Sequence, residues 1–197
     1  MRLQLGLASA VNGRGYNLAW IPGATRCRAR QAFSDIDNRE FNLLHIFVDA
    51  DACPVKEEVY RVARRCGLKV TLVANSWLRV PNEDWILLEV VESGSDVADD
   101  WIVEHVQPDD IVVTADILLA SRCLKANVRA IGTNGKPFTE DNIGSAVALR
   151  DLLSELRDAG EMTGGPPPIQ KRDRSRFLHQ LDEMIQLIRR QHQLKSS

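Results

Sequence analysis

The sequence predicts an α/β fold: one three-layer domain built on a mostly parallel five-stranded sheet, with a C-terminal helix appended. Three observations predict it. From Leu43 onward, short aliphatic runs alternate with stretches of helical period, the pattern of consecutive βαβ units. The first run, His45-Ile46-Phe47-Val48, ends in Asp49-Ala50-Asp51, and a later one, Ile111-Val112-Val113-Thr114, ends at Asp116. Acids at the carboxyl ends of strands stand where open α/β sheets place their ligands. Finally, 197 residues of which 44% are hydrophobic suffice for one ordinary core and some appendages.

Taken in order, residues 1–42 fall outside the pattern. Arg2, Arg14, Arg26, Arg28 and Arg30 precede the first acid, Asp35, and no periodic apolar face appears. Such a start reads either as a transit peptide or as sequence translated from too early a start codon. The second is favoured because the folded pattern begins abruptly, and poor order is expected here. Strand one spans Leu44–Asp49. A helix follows over Pro54–Cys66, opened by proline, striped by Val55, Val59, Val62 and Cys66, and stopped by Gly67. Strand two is Leu68–Ala74, Asn75 to Pro81 is a loop, and strand three is Trp85–Val91.

Ser95 is placed to cap a helix reaching about Val106. Pro108-Asp109-Asp110 is a turn, with both acids assigned to turn chemistry, before strand four over Ile111–Thr114. Helix three is Ile117–Ala126, strand five Val128–Ile131, and a long helix runs from Thr139 to Asp158 after a Gly-rich loop. Gly164-Gly165-Pro166-Pro167-Pro168 is a linker, since a polyproline run cannot continue a helix. Asp173 then caps a final helix whose stripe of Phe177, Leu181, Met184, Ile185 and Ile188 must dock, on the body or on a second subunit as a homodimer. The expected organisation is an extension over 1–42, the α/β domain over 43–160, and a linker with its helix over 161–197.

Composition narrows the function. The net charge of −2 advertises no general nucleic-acid binder, but residues 49–116 hold fifteen acids against six bases. Acids concentrated near a site favour cations over phosphates unless a metal intervenes. Cys27, Cys53, Cys66 and Cys123 form no CxxC pair, so a zinc cluster or disulfide framework is not suggested and a cytoplasmic protein is expected. No run of 18 apolar residues occurs, so no membrane span is expected.

If the strand order is 3-2-1-4-5, strands one and four are neighbours and the switch point lies between their carboxyl ends. Asp49, Asp51 and Asp116 then share one crevice. Asp96, Asp99 and Asp100 stand at i, i+3 and i+4, which puts three carboxylates on one helix face. Carboxylates packed together cannot all ionise cheaply without a cation, and Mg²⁺ or Mn²⁺ would meet that need. The ordinary readings stand beside these: Asp96 can serve the helix dipole, and Asp99 and Asp100 a solvated face. Lys56, in the first turn of the first helix, would hold a phosphate or pair with an acid. Ser95 would offer its N–H to an anion or simply cap. His45 reads as a packed residue. Cys53 precedes a proline at a helix start, but no histidine is placed as its base.

These residues are recognisable as a set. Asp49-Ala-Asp-Ala-Cys-Pro-Val-Lys56, Ser93-Gly-Ser-Asp-Val-Ala-Asp99, Val113-Thr-Ala-Asp-Ile117, Thr139-Glu-Asp-Asn-Ile143 and Gly165-Pro-Pro-Pro…Asp173-Arg-Ser-Arg-Phe177 together resemble the YaiI/YqxD family, also called UPF0178. The likeness spans about Leu44 to Ile188. That family is uncharacterised, and it is grouped with PIN-like domains, whose strand-one Asp, mid-chain acids and strand-four Thr-x-Asp bind metal in RNA nucleases. The resemblance therefore implies a PIN-like sheet and a metal shell drawn from Asp49, Asp51, Asp96, Asp99 and Asp116. It implies catalysis through Asp49, Asp96 and Asp116, and substrate contacts at Lys56, Ser95 and Thr114. Asp51 with Cys53-Pro54 departs from the nuclease pattern.

Three functions compete. One is a metal-dependent nuclease acting on RNA, in which Mg²⁺ or Mn²⁺ activates water at the phosphodiester. The second is a haloacid-dehalogenase-type phosphohydrolase with Asp49 as nucleophile and Asp51 as acid/base. The third is a binding protein without catalysis, its acids holding a structural ion or meeting a partner.

Overall fold

The computed structural model describes residues 44–51, 53–94, 96–160 and 168–196. The expectations for the N-terminal extension and for most of the Gly/Pro linker lie outside these residues, as does Ser95. Six strands form one sheet: β1 (His45–Asp49), β2 (Lys69–Ala74), β3 (Ile86–Val90), β4 (Ile111–Val113), β5 (Arg129–Ile131) and β6 (Pro137–Phe138). Five helices accompany them: α1 (Lys56–Cys66), α2 (Val97–His105), α3 (Ile117–Lys125), α4 (Glu140–Asp158) and α5 (Lys171–Ser196).

The sheet order is β3-β2-β1-β4-β5-β6, which is the expected 3-2-1-4-5 with one strand added. The first five strands are mutually parallel, and β6 runs antiparallel to β5. The sixth strand corrects the expected five. Its signal was Asn134-Gly135, a turn dipeptide between two short runs, with Gly135 at φ +76°. Strand and helix ends otherwise shift by a residue or two. The largest change is at α1, where Pro54 and Val55 form the turn that precedes the helix.

Side-chain alternation divides the core into two layers. Ile46 and Val48 of β1, Ile111 and Val113 of β4, and Ile131 of β5 face one side, packed with Val55, Val59 and Val62 from the α1 segment and with Phe177, Leu181, Ile185 and Ile188 of α5. Phe47, Val112 and Ala130 face the other, against Ala98 and Ile102 of α2 and Leu119, Ala120 and Cys123 of α3. The four α5 residues are at most 1% exposed, so the C-terminal stripe is buried within its own chain. A homodimer formed through this helix would have to use its other face. None of the described helices is long and apolar enough to cross a membrane.

Polar contacts fix α5 along α1. Arg174 donates to both carboxylate oxygens of the buried Glu58 at 3.0 and 2.9 Å and to the Pro54 carbonyl at 2.9 Å. Arg65 meets Asp182 at 2.7 Å, and Arg189 donates to the Cys66 carbonyl. Asp173 is not the cap residue expected. It lies inside the first turn and accepts from the Gln170 N–H at 3.0 Å, the return half of a capping box. Asp110 serves the turn as expected, through Gln107, and does more. It is fully buried and accepts from the backbone N–H groups of His45 at 2.8 Å and Gln107 at 2.9 Å, joining the starts of β1 and β4.

Gly135 shows how closely the β5–β6 turn meets α5. A Cβ built there would stand 2.5 Å from the Phe177 backbone nitrogen. Phe177→Ala is expected to lower stability by about 3–5 kcal/mol, the range for emptying a buried aromatic site. Chemical denaturation of the two proteins at neutral pH checks this, and a loss under 1 kcal/mol would mean that α5 is not part of the core.

Candidate functional site

The same alternation that builds the core selects which acids meet. Asp49 is two residues beyond Phe47, and Thr114 two beyond Val112, so both side chains follow the parity of the α2/α3 face. β1 and β4 are adjacent, because the chain reverses its direction of travel across the sheet between β3 and β4. The two strand ends are joined by a hydrogen bond: the fully buried Thr114 Oγ1 donates to Asp49 Oδ2 at 2.8 Å and accepts from the Asp116 N–H at 2.9 Å. Asp116 caps α3, its Oδ1 accepting from Leu118 N–H at 2.6 Å and Leu119 N–H at 3.1 Å. A capping carboxylate is in this way held beside the carboxyl ends of β1 and β4.

Asp99 reaches the same place from α2. Its pKa is raised from 3.8 to about 6 by burial, then by the charges of Asp116, Asp49 and Asp96, with Arg122 pulling the other way. Asp49 is also raised, first by burial and then by Asp51 and Asp116, against the lowering bond from Thr114. Three acids therefore share one electrostatic neighbourhood: Asp49 from β1, Asp99 from α2 and Asp116 from α3. Among the described residues, no group of three or more His, Cys, Asp or Glu is arranged to hold a metal ion as it stands.

The family described as "Uncharacterized BCR, YaiI/YqxD family" matches residues 47–187. The chain belongs to the YaiI/YqxD (UPF0178) family. Its relatives include a UPF0178 protein of Bradyrhizobium sp. (strain ORS 278), 56% identical over 146 residues, which are 74% of this chain and 89% of that protein. A UPF0178 protein of Rhodopseudomonas palustris (strain ATCC BAA-98 / CGA009) is 57% identical over 75% of this chain and 94% of its own. Another, from Paramagnetospirillum magneticum (strain ATCC 700264 / AMB-1), is 54% identical over 74% of this chain and 96% of that protein. No solved structure matches.

Within this family framework the remaining candidates separate. Asp51 is exposed and its carboxylate accepts the Asn75 N–H at 3.0 and 3.2 Å, which fastens the loop after β1 to the loop after β2. Asp96 is exposed at the N-cap of α2 in the left-handed region, φ 65°, and its side chain caps nothing. A non-glycine residue held there costs of order 1–2 kcal/mol, although aspartate tolerates it better than most. Asp100 leaves the group expected of it and pairs with Arg122 of α3 at 2.6 Å.

Lys56 donates to the Ala50 carbonyl at 2.9 Å, using one of its three donors to brace the loop. Thr114 is buried and engaged on both sides, which makes it a positioning residue rather than a group a substrate can touch. The Cys53 thiol is pushed up to about 11, mainly by burial, and is therefore protonated at neutral pH. Glu58 and Asp110 are acids that burial commits to structure, and single residues within a helix and a turn carry no periodic signal of that burial.

The raised Asp99 pKa fixes a pH dependence. Folding binds its proton more tightly than the unfolded chain does, so the stability it contributes is complete below pH 3.8 and lost as pH rises through about 6. Asp99→Asn in EDTA is expected to be more stable than the parent at pH 7.5, with the difference shrinking toward pH 3.5. Denaturant titrations at the two pH values measure it; a variant that loses stability at pH 7.5 would show Asp99 to be a satisfied structural carboxylate.

Proposed function

We propose that this protein is a divalent-metal-dependent phosphodiester hydrolase directed at RNA and acting in the cytoplasm, where its free Cys53, Cys66 and Cys123 would stay reduced. The observation that carries the reading is the electrostatic convergence of Asp49, Asp99 and Asp116 at the switch point of the sheet. Such a cluster carries a repulsion that a cation would relieve. The donors are all carboxylate oxygens. Asp49 accepts from Thr114 on Oδ2 and also from the Asp51 N–H, and Asp116 spends Oδ1 on the start of α3, so each keeps oxygen lone pairs to offer.

That donor set suits Mg²⁺ or Mn²⁺, which take one or two carboxylates and keep several waters, and need no closed protein cage. A bound ion would supply Lewis-acid stabilisation of the phosphoryl oxygens and lower the pKa of a water. Asp49 and Asp116 would hold it, with Asp99 beside them and Asp96 and Asp51 at the rim. Thr114 would fix the Asp49 carboxylate by donating to Oδ2, leaving Oδ1 directed by that bond. The haloacid-dehalogenase alternative is less well supported, because the Asp51 carboxylate is occupied by the Asn75 amide.

Mn²⁺ at a hundred times its dissociation constant is expected to stabilise the protein by about 2.7 kcal/mol, read as a raised unfolding midpoint. Asp49→Asn should abolish that rise without destabilising the metal-free protein, and should remove Mn²⁺-dependent cleavage of single-stranded RNA. Thr114→Val keeps every carboxylate but loses the positioning bond, so activity should fall roughly 10–100-fold, the usual effect of outer-shell partners. A protein indifferent to Mn²⁺ whose Asp49→Asn variant is destabilised would overturn the reading.

A further inference from the structure

The carboxyl edge of the sheet carries its charges in two rows. The acids lie on the side of α2 and α3, as described above. The bases lie opposite, where α5 begins. Arg174, bonded to the Pro54 carbonyl at 2.9 Å and to Glu58, seats the first turns of α5 beside the loop after β1. Arg176 reaches the Asn134 carbonyl at 3.4 Å, and Gly135 backs onto Phe177, so the β5–β6 turn lies against the same turns. That turn also adjoins the acid crevice, since the Thr114 N–H donates to the Ile131 carbonyl at 3.2 Å. Lys136 in this turn and Lys171 and Arg172 at the start of α5 are all exposed. Arg176 is neutralised by Asp173 at 3.3 Å, whereas Lys136, Lys171 and Arg172 have no ion pair among the described residues.

The other flank carries an aromatic residue. After β2, Leu78 and Val80 pack against the core, and Trp77, just before them, stands outward and is 73% exposed. The base of this loop is held at the site by the Asp51 bonds to the Asn75 N–H and by Ser93 Oγ donating to the Asn75 carbonyl at 3.4 Å. β2 and β5 are three strands apart, roughly 14 Å at about 4.8 Å per strand, a span of a few nucleotides.

We propose that a single strand of RNA binds across this edge, its phosphates on Lys136, Lys171 and Arg172 and one base stacked on Trp77. The inference rests on the hydrolase reading for what happens to the strand, and adds where the rest of the strand lies. Uncompensated bases recognise the backbone, and an exposed indole accepts the face of any base. The acids opposite repel the backbone, which confines it to the basic row and lets only the phosphate between the rows approach the crevice.

The experiment is fluorescence anisotropy of the full chain with a fluorescein-labelled oligouridylate of about 12 nucleotides, within the usual single-strand site size. EDTA is present, so nothing is cleaved, and salt is varied. Lys171→Glu with Arg172→Glu should weaken binding at least tenfold and flatten the salt slope by about 1.4, the value for two lost single-strand phosphate contacts. Trp77→Ala should weaken binding roughly tenfold and leave the salt slope unchanged. Wild-type affinity in either variant overturns the track, as does tighter binding of a DNA duplex. Should the double variant fail to fold, Lys136→Glu should also weaken binding and flatten the salt slope by about 0.7, the value for one lost contact. RNA that binds by this pattern yet is never cleaved with Mn²⁺ would remove the hydrolase reading and leave the track. Cleavage with basic-row variants at full affinity would do the reverse.

Discussion

The site depends on one buried hydroxyl. Thr114 sits where β4 ends and holds Asp49 at the end of β1 with its proton, while its oxygen takes the N–H that begins the α3 cap. The hydroxyl itself is fully buried, so Thr114 cannot turn to water in place of these two partners. Through them the position of Asp49 becomes coupled to the position of Asp116, although the two residues belong to different strand–helix units. Neighbouring like charges are tolerated because the burial that raises the Asp49 pKa also makes the Thr114 bond strong.

A second constraint acts from the opposite face. α5 runs beside α1 with its apolar stripe in the core, and its first turns are tied to Pro54, Glu58 and the Gly132–Gly135 turn. The loops after β1 and β5 are thus supported from behind by the same helix. The loop after β2 is joined to the loop after β1 by Asp51, and to residue Ser93 through Asn75. The carboxyl edge becomes a connected frame rather than a set of independent loops, which is what a site with fixed geometry requires.

Much of this was legible in the sequence. The alternation of strands and helices, the acids that end β1 and β4, the Gly67 stop and the α5 stripe follow from period and punctuation, while the strand order came with the PIN-like resemblance, and all are present. The small β6 was not read, because two residues are too short for a period and only Asn134-Gly135 marked the turn. Asp110 was read as turn chemistry, since a turn acid that faces water and one that is buried on backbone amides look alike in sequence. The triplet Asp96, Asp99 and Asp100 shared a helix face on spacing alone, but Arg122 of α3 drew Asp100 away.

The sequence by itself determined the strands and helices, the face each residue takes and which residues end each strand, because alternation and helical period are local properties of the chain. Only the tertiary structure decided which acids keep company. Asp49, Asp99 and Asp116 come from three elements spread over residues 49–116, and their shared electrostatics depends on distance and burial. Asp51 lies two residues from Asp49, yet the fold gives it to the Asn75 amide. Charge interactions follow separation in space and local dielectric, and neither quantity is written along the chain.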